Sequence, residues 1–154
     1  MTTIQQQAYK YEQLCVICDI DGTISNLSHR KYYLQSGIRD YKTFFELCHL
    51  DRPIVPMCKM VRNLMGRANV IFVTGRPESV REKTEKWLTN QGLKGRLIMR
   101  DGSVWNRNSE YKLGVLKALR KEGLNPTLAI DDDPDSVDMW AKNGVMCLQL
   151  IEKR

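Results

Sequence analysis

The sequence predicts a parallel, doubly wound α/β sheet, and three observations carry that prediction. Short apolar runs rich in β-branched residues recur along the chain, segments of helical length separate them, and acidic or hydroxyl residues follow several of the runs. In such sheets ligands collect at the carboxyl ends of the strands, so those trailing polar residues are the first place to look for chemistry.

Strands are expected at about Leu14–Asp19, Val70–Val73, Arg96–Met99, Thr127–Ile130 and Val145–Leu150, the third being the weakest run. Helices are expected from Pro77 to about Gln91, from Ser109 to about Lys121 and from Pro134 to Lys142. The first two stop before Gly92 and Gly123, and the third is closed by Asn143-Gly144. Residues 1–12 are polar and Gln-rich and read as a flexible extension, leaving 13–154 as one domain. Residues 24–68 form a long helical insertion after the first strand, with helices near Ser28–Gln35, Tyr41–Leu50 and Ile54–Met65. Only the last is needed as a crossover. The other two carry Arg30, Lys31, Arg39, Tyr32, Tyr33, Tyr41, Phe44 and Phe45, placed either to pack a helix pair or to stand over the strand ends as a minimal cap.

Composition narrows the class. The formal charge of +6 favours attraction of a phosphorylated or polyanionic partner without requiring one. Five cysteines form an odd set, three of them in apolar runs, which argues against a disulfide framework. No apolar stretch approaches the roughly 18 residues of a membrane span, and the MTTIQQQ start lacks the apolar core of a signal peptide. A soluble, cytoplasmic protein without membrane contact is the expectation.

The chemistry is concentrated in four segments. Asp19-Ile20-Asp21-Gly22-Thr23 puts two carboxylates two residues apart where a strand ends, with a hydroxyl beyond the Gly22 turn. Thr74-Gly75-Arg76 offers a hydroxyl, an unhindered N–H and a guanidinium to phosphate oxygens, with a helix expected to begin at Pro77. Lys112 lies early in a helix, where its charge can balance a carboxylate nucleophile and a phosphate. Asp131-Asp132-Asp133 repel one another unless a cation sits among them, and oxygen ligands of this kind suit Mg²⁺. Each has a plainer explanation: an Asp-Gly turn, a solvated lysine, or a helix N-cap at Asp133 or Asp135. Their order and their shared topological position argue for one site.

In that order, Asp19–Thr23, Thr74, Lys112 and Asp131-Asp132 resemble the four motifs of the haloacid dehalogenase (HAD) superfamily. The likeness runs from about Val16 to Gln149 and is narrower toward the 3′-phosphatase domain of phage-type polynucleotide kinase/phosphatases. Thr74-Gly75-Arg76-Pro77-Glu78, Arg81, Thr84, Trp87-Leu88, Met99-Arg100 and Val137–Trp140 carry it, joined by Gly144, Asp40, Phe44 and Asp51. Asn108 stands where those relatives have an aspartate, and Asp133 where they tend to have an arginine. No GxxxxGK[ST] phosphate loop of a kinase occurs.

The resemblance implies a HAD-like, three-layer α/β/α fold and a Mg²⁺-dependent phosphomonoesterase. It implies Asp19 as nucleophile forming an aspartyl-phosphate and Asp21 as general acid and base, the acid role calling for a raised pKa. Mg²⁺ would be held by Asp19, the backbone carbonyl of Asp21, and Asp131 or Asp132. Thr74 and Lys112 complete the catalytic set, with Thr23, Gly75, Arg76, Arg81 and Arg100 as substrate-binding candidates. The implied substrate is a phosphorylated nucleic-acid end, foremost a 3′ end, or a nucleotide. The alternatives are a small-metabolite or 5′-nucleotide phosphatase and, from another class, a receiver-like module phosphorylated on Asp101.

Overall fold

The structure, a computed structural model, describes residues 13–103 and 106–152. Its elements are β1 (Leu14–Cys18), β2 (Ser25–Asn26), α1 (Tyr41–Glu46), β3 (Arg52–Pro53), α2 (Val55–Leu64), β4 (Ala68–Pro77), α3 (Arg81–Asn90), β5 (Arg96–Arg100), α4 (Asn108–Lys121), β6 (Leu128–Asp131), α5 (Pro134–Lys142) and β7 (Met146–Gln149). The expected N-terminal extension at 1–12 lies outside the described residues.

Five parallel strands hydrogen-bond in the order β5-β4-β1-β6-β7. Strand β1 is central because its residues alternate between two apolar faces, both of which are covered. Val16 and Cys18 enter one core with Phe72, Val61 and Trp87, whereas Cys15 and Ile17 enter the other with Leu116, Leu119 and Trp140. Helices α2 and α3 supply the first layer, α4 and α5 the second, and the result is the three-layer α/β/α fold expected. The chain leaves β1 for β4 on one side and later places β6 on the other, so the topological switch lies between β1 and β6. Asp19 follows the last residue of β1 and Asp131 is the last of β6.

Three local expectations are corrected. Strand β4 runs on to Pro77, whose backbone is extended, and pairs irregularly with β5 between Thr74 and Pro77. The expected helix therefore opens as a 3-10 turn at Glu78–Val80 capped by Pro77, and α3 proper begins directly after it at Arg81. Ser28–Leu34 is 3-10 rather than α-helical; its apolar residues Tyr32 and Leu34 stay 58% and 39% exposed, so little burial rewards a regular helix there. The segment Tyr41–Leu50 divides into α1 and a 3-10 turn, and a short antiparallel pair, β2 with β3, closes the base of the insertion. All five cysteines are free, and among the described residues no helix is long and apolar enough to cross a membrane.

Candidate active site

The end of β1 is wound into a tight turn in which the Ile20 carbonyl accepts from the N–H groups of Thr23, Ile24 and Ser25 at 3.0–3.2 Å. Gly22 makes the turn with φ of +81°, and a Cβ there would lie 2.1 Å from Asp132 Oδ2. Glycine is thus required both by the backbone and by the approach of a carboxylate. The turn sends Asp19 and Asp21 into different surroundings.

Asp19 is buried. Lys112, reaching from α4, donates to Asp19 Oδ1 at 3.0 Å and to Asp131 Oδ2 at 2.7 Å, while Thr23 Oγ1 donates to Asp19 Oδ2 at 2.8 Å and to Asp132 Oδ1 at 3.2 Å. Asp131 is further fixed by Trp140 Nε1 at 3.0 Å and by the Asp133 N–H at 3.2 Å. Burial pushes the Asp19 carboxyl well up; Lys112 opposes this, and the charges of Asp131, Asp132 and Asp21 add to it. One oxygen each from Asp19, Asp131 and Asp132 lie within 4.8 Å of one another. Three hard oxygen donors facing a single lysine fit a divalent cation such as Mg²⁺. Asp133 instead caps α5, accepting from the Ser136 N–H and hydroxyl.

Asp21 meets the opposite environment. Its Oδ1 accepts from Arg30 Nη2 at 2.6 Å, from Arg76 Nη2 at 2.6 Å and Nε at 3.0 Å, and from Ser25 Oγ at 3.2 Å. Both arginines also grip the buried Asp51, whose Oδ2 accepts from Arg30 Nη2 at 2.6 Å and Arg76 Nη2 at 3.0 Å. Burial pushes Asp21 up, but the guanidiniums of Arg76 and Arg30 outweigh it and hold the carboxyl down at about 2. The expected upward shift of Asp21 is therefore reversed in the free protein, because two cations that the sequence assigned to substrate or cap lie behind it.

The two carboxylates open on a cleft of about 390 Å³ whose floor includes Gly22, Lys112, Asp132 and Asp133. Its walls come from the insertion, through Leu27, Lys31, Leu34, Tyr41, Phe44 and Phe45, and from Gly75, Arg100 and Asn108. The insertion thus does stand over the strand ends, and Phe44 also packs inward under the Arg30 guanidinium, 4.3 Å from its ring centroid. Thr74 is fully buried and is not among the residues lining the cleft; its Oγ1 accepts the Arg76 N–H at 3.2 Å. Two expected substrate ligands are elsewhere. Arg76 is fully buried and committed to Asp21, Asp51 and Thr84. Arg81 is held outside the cleft by Glu78, Glu85 and the Leu97 carbonyl. The residues that sequence reasoning undervalued are Arg30 and Asp51, the counter-ions of this second cluster, and Trp140, which orients Asp131. Asp51 and Trp140 stood among the residues of the narrow resemblance, the one available signal.

A family model described as the polynucleotide kinase PNKP phosphatase domain matches residues 13–153. Among solved structures, the chain is similar to a chain of a Pnkp1/Rnl/Hen1 complex, with 26% identity over 92% of this chain and 47% of that one and a TM-score of 0.70. A chain of the Pnkp1/Rnl/Hen1 RNA repair complex is similar at 26% identity over 90% of this chain and 42% of that one, again with a TM-score of 0.70. This chain therefore spans less than half the length of those two. A HAD-superfamily hydrolase of subfamily IA from Geobacter sulfurreducens shares the fold at 14% identity, over 89% of this chain and 86% of that one, with a TM-score of 0.61. No curated protein matches the sequence.

Proposed function

Because the chain belongs to the polynucleotide kinase PNKP phosphatase-domain family of HAD-type phosphatases, we propose that it removes phosphate from nucleic-acid 3′ ends through an aspartyl-phosphate on Asp19. The observation that carries this reading is the buried bridge in which Lys112 joins Asp19 to Asp131 at the floor of the cleft. A carboxylate so placed is held in one orientation, faces the ligand space, and has a cation beside it to balance an incoming phosphate.

Asp19 attacks phosphorus, forming the new P–O bond as the ester oxygen leaves with its electron pair. Asp21, which takes up a proton as the substrate's negative charge arrives beside it, gives that proton to the leaving oxygen and then takes one from the water that cleaves the aspartyl-phosphate, releasing inorganic phosphate and regenerating Asp19. The arginine clamp keeps Asp21 ionised in the free protein, the form that receives a proton; a phosphate dianion alongside acts to raise its pKa toward the acid role. Lys112, the Thr74 hydroxyl and the Gly75 N–H hold phosphate oxygens. Asp19, the Asp21 carbonyl and Asp132 would hold Mg²⁺, which when bound supplies charge neutralisation and orientation. Asp132 is the better candidate of the acidic pair, since Asp131 is engaged by Lys112, Trp140 and Asp133 whereas Asp132 faces Thr23 and Asp19 and lines the cleft.

Nucleic-acid ends are favoured by the family, by the formal charge of +6 and by the likeness to chains of an RNA repair complex. The receiver alternative is overturned by the family match, and the strand order agrees: Asp101 is exposed after the edge strand β5, far from the switch point. Phosphate release should be compared for matched 3′- and 5′-phosphorylated oligonucleotides, mononucleotides and an aryl phosphate, with and without Mg²⁺. Fastest Mg²⁺-dependent release from the 3′-phosphorylated strand is expected. A preference for the 5′ end or for small phosphates moves the enzyme to the metabolite class.

A further inference from the structure

The arginine clamp behind Asp21 reaches the surface at one further residue. Arg30, Arg76 and Asp51 are fully buried, and Asp51 is fixed through its backbone by Trp87 Nε1, which donates to its carbonyl at 2.8 Å. Asp51 Oδ1 also meets His29 Nε2 at 2.8 Å, and the His29 side chain is 37% exposed. The imidazole borders a hollow lined by Asn26, Ser28, Leu50 and Arg52, none of which lines the catalytic cleft. A chain of ion pairs therefore runs from solvent to the proposed acid and base: His29 to Asp51, Asp51 to both arginines, and both arginines to Asp21. The reaction proposed above makes no use of His29.

His29 is the member of this chain whose charge changes near neutrality, since imidazole titrates there whereas guanidiniums stay charged. It shares Asp51 Oδ1 with Arg30 Nε, which donates to the same oxygen at 2.7 Å. The charged groups around the ring are Asp51, Arg30 and, across the hollow, Arg52. With His29 neutral, two carboxylates face two guanidiniums. A protonated ring adds a third cation to Asp51, and the guanidiniums, sharing Asp51 with it, bear more fully on Asp21. We propose that His29 is a positioning residue for the reaction: its charge sets how Arg30 and Arg76 divide between Asp51 and Asp21, and its protonation tightens their hold on Asp21 and slows the steps that Asp21 carries. This rests on reading Asp21 as acid and base, and adds to it a control that lies outside the cleft.

The test measures kcat at saturating Mg²⁺ from about pH 8 to about pH 5 for the wild type, His29→Gln and His29→Lys. Glutamine offers Asp51 a neutral donor at every pH, and lysine a permanent cation. Across this range the wild type should lose about 3- to 10-fold more rate than His29→Gln, and His29→Lys should run slower than His29→Gln by a similar factor at both ends. A merely structural contact would leave the shape of the pH profile alone. Parallel profiles in the wild type and His29→Gln, or equal rates in the two variants, overturn the proposal. A second readout needs neither a variant nor turnover: the Nε–H signals of Arg30 and Arg76, followed by NMR in the wild type, should move with the titration of the His29 ring. Arginine signals that ignore that titration also overturn the proposal, whereas coupled signals in a protein that hydrolyses no phosphomonoester refute only the phosphatase reading.

Discussion

Asp19 and Asp21 are the same residue type, two positions apart on one turn, and the fold drives them in opposite directions. Around Asp19 stand two further carboxylates and one lysine, so the cluster lacks positive charge and burial pushes the Asp19 carboxyl up. Around Asp21 two arginines share two carboxylates, and the carboxyl is held at about 2. The first cluster carries more negative than positive charge; in the second, two arginines balance two carboxylates. The charge environment of each member of an Asp-x-Asp pair is thus set by distant residues rather than by the pair itself.

The most severe way to break the contrast is Asp19→Asn, expected to lower turnover on the order of 10⁴-fold or more in initial-rate assays. Wild-type-like hydrolysis would refute the nucleophile. Arg76→Met attacks the other cluster, leaving Asp21 and Asp51 short of a partner, and should cost about 3–5 kcal/mol in urea unfolding. An unchanged stability with a raised KM would return Arg76 to the substrate-binding role suggested by its sequence neighbours.

The cation deficit predicts that Mg²⁺ at a hundredfold excess over its Kd stabilises the wild type by about 2.7 kcal/mol. Asp132→Asn should lose most of that gain in a thermal shift assay, and a wild type indifferent to Mg²⁺ would sink the assignment. The smallest effect is in acid. A carboxyl lowered from 3.8 to about 2 contributes roughly 2 kcal/mol above its unfolded pKa, a gain lost as the pH falls through about 2. Urea titrations between pH 5 and pH 2 should show this component in the wild type and its reduction in Arg76→Met.

The strands were legible because burial on both faces demands apolar, β-branched runs, and the four motifs were legible because each follows such a run or opens a helix. Lys112 and Asp131 meet as the order of motifs implied. What stayed hidden was non-local. A guanidinium after a strand reads equally as a phosphate ligand or as a counter-ion, and only the fold brings Arg76 to Asp51 and Arg30 behind Asp21. The extension of β4 through Pro77 was hidden for a related reason: its pairing with Arg100 depends on another strand, while Pro-Glu locally signals a helix start.

In the proposed reaction Asp19 is phosphorylated during turnover. Rapid quenching of the wild type with substrate, followed by borohydride reduction and peptide mass analysis, tests it directly. Conversion of Asp19 to homoserine, dependent on substrate, is the predicted result; steady turnover with Asp19 unmodified, or modification at Asp21 or Asp132 instead, would contradict it.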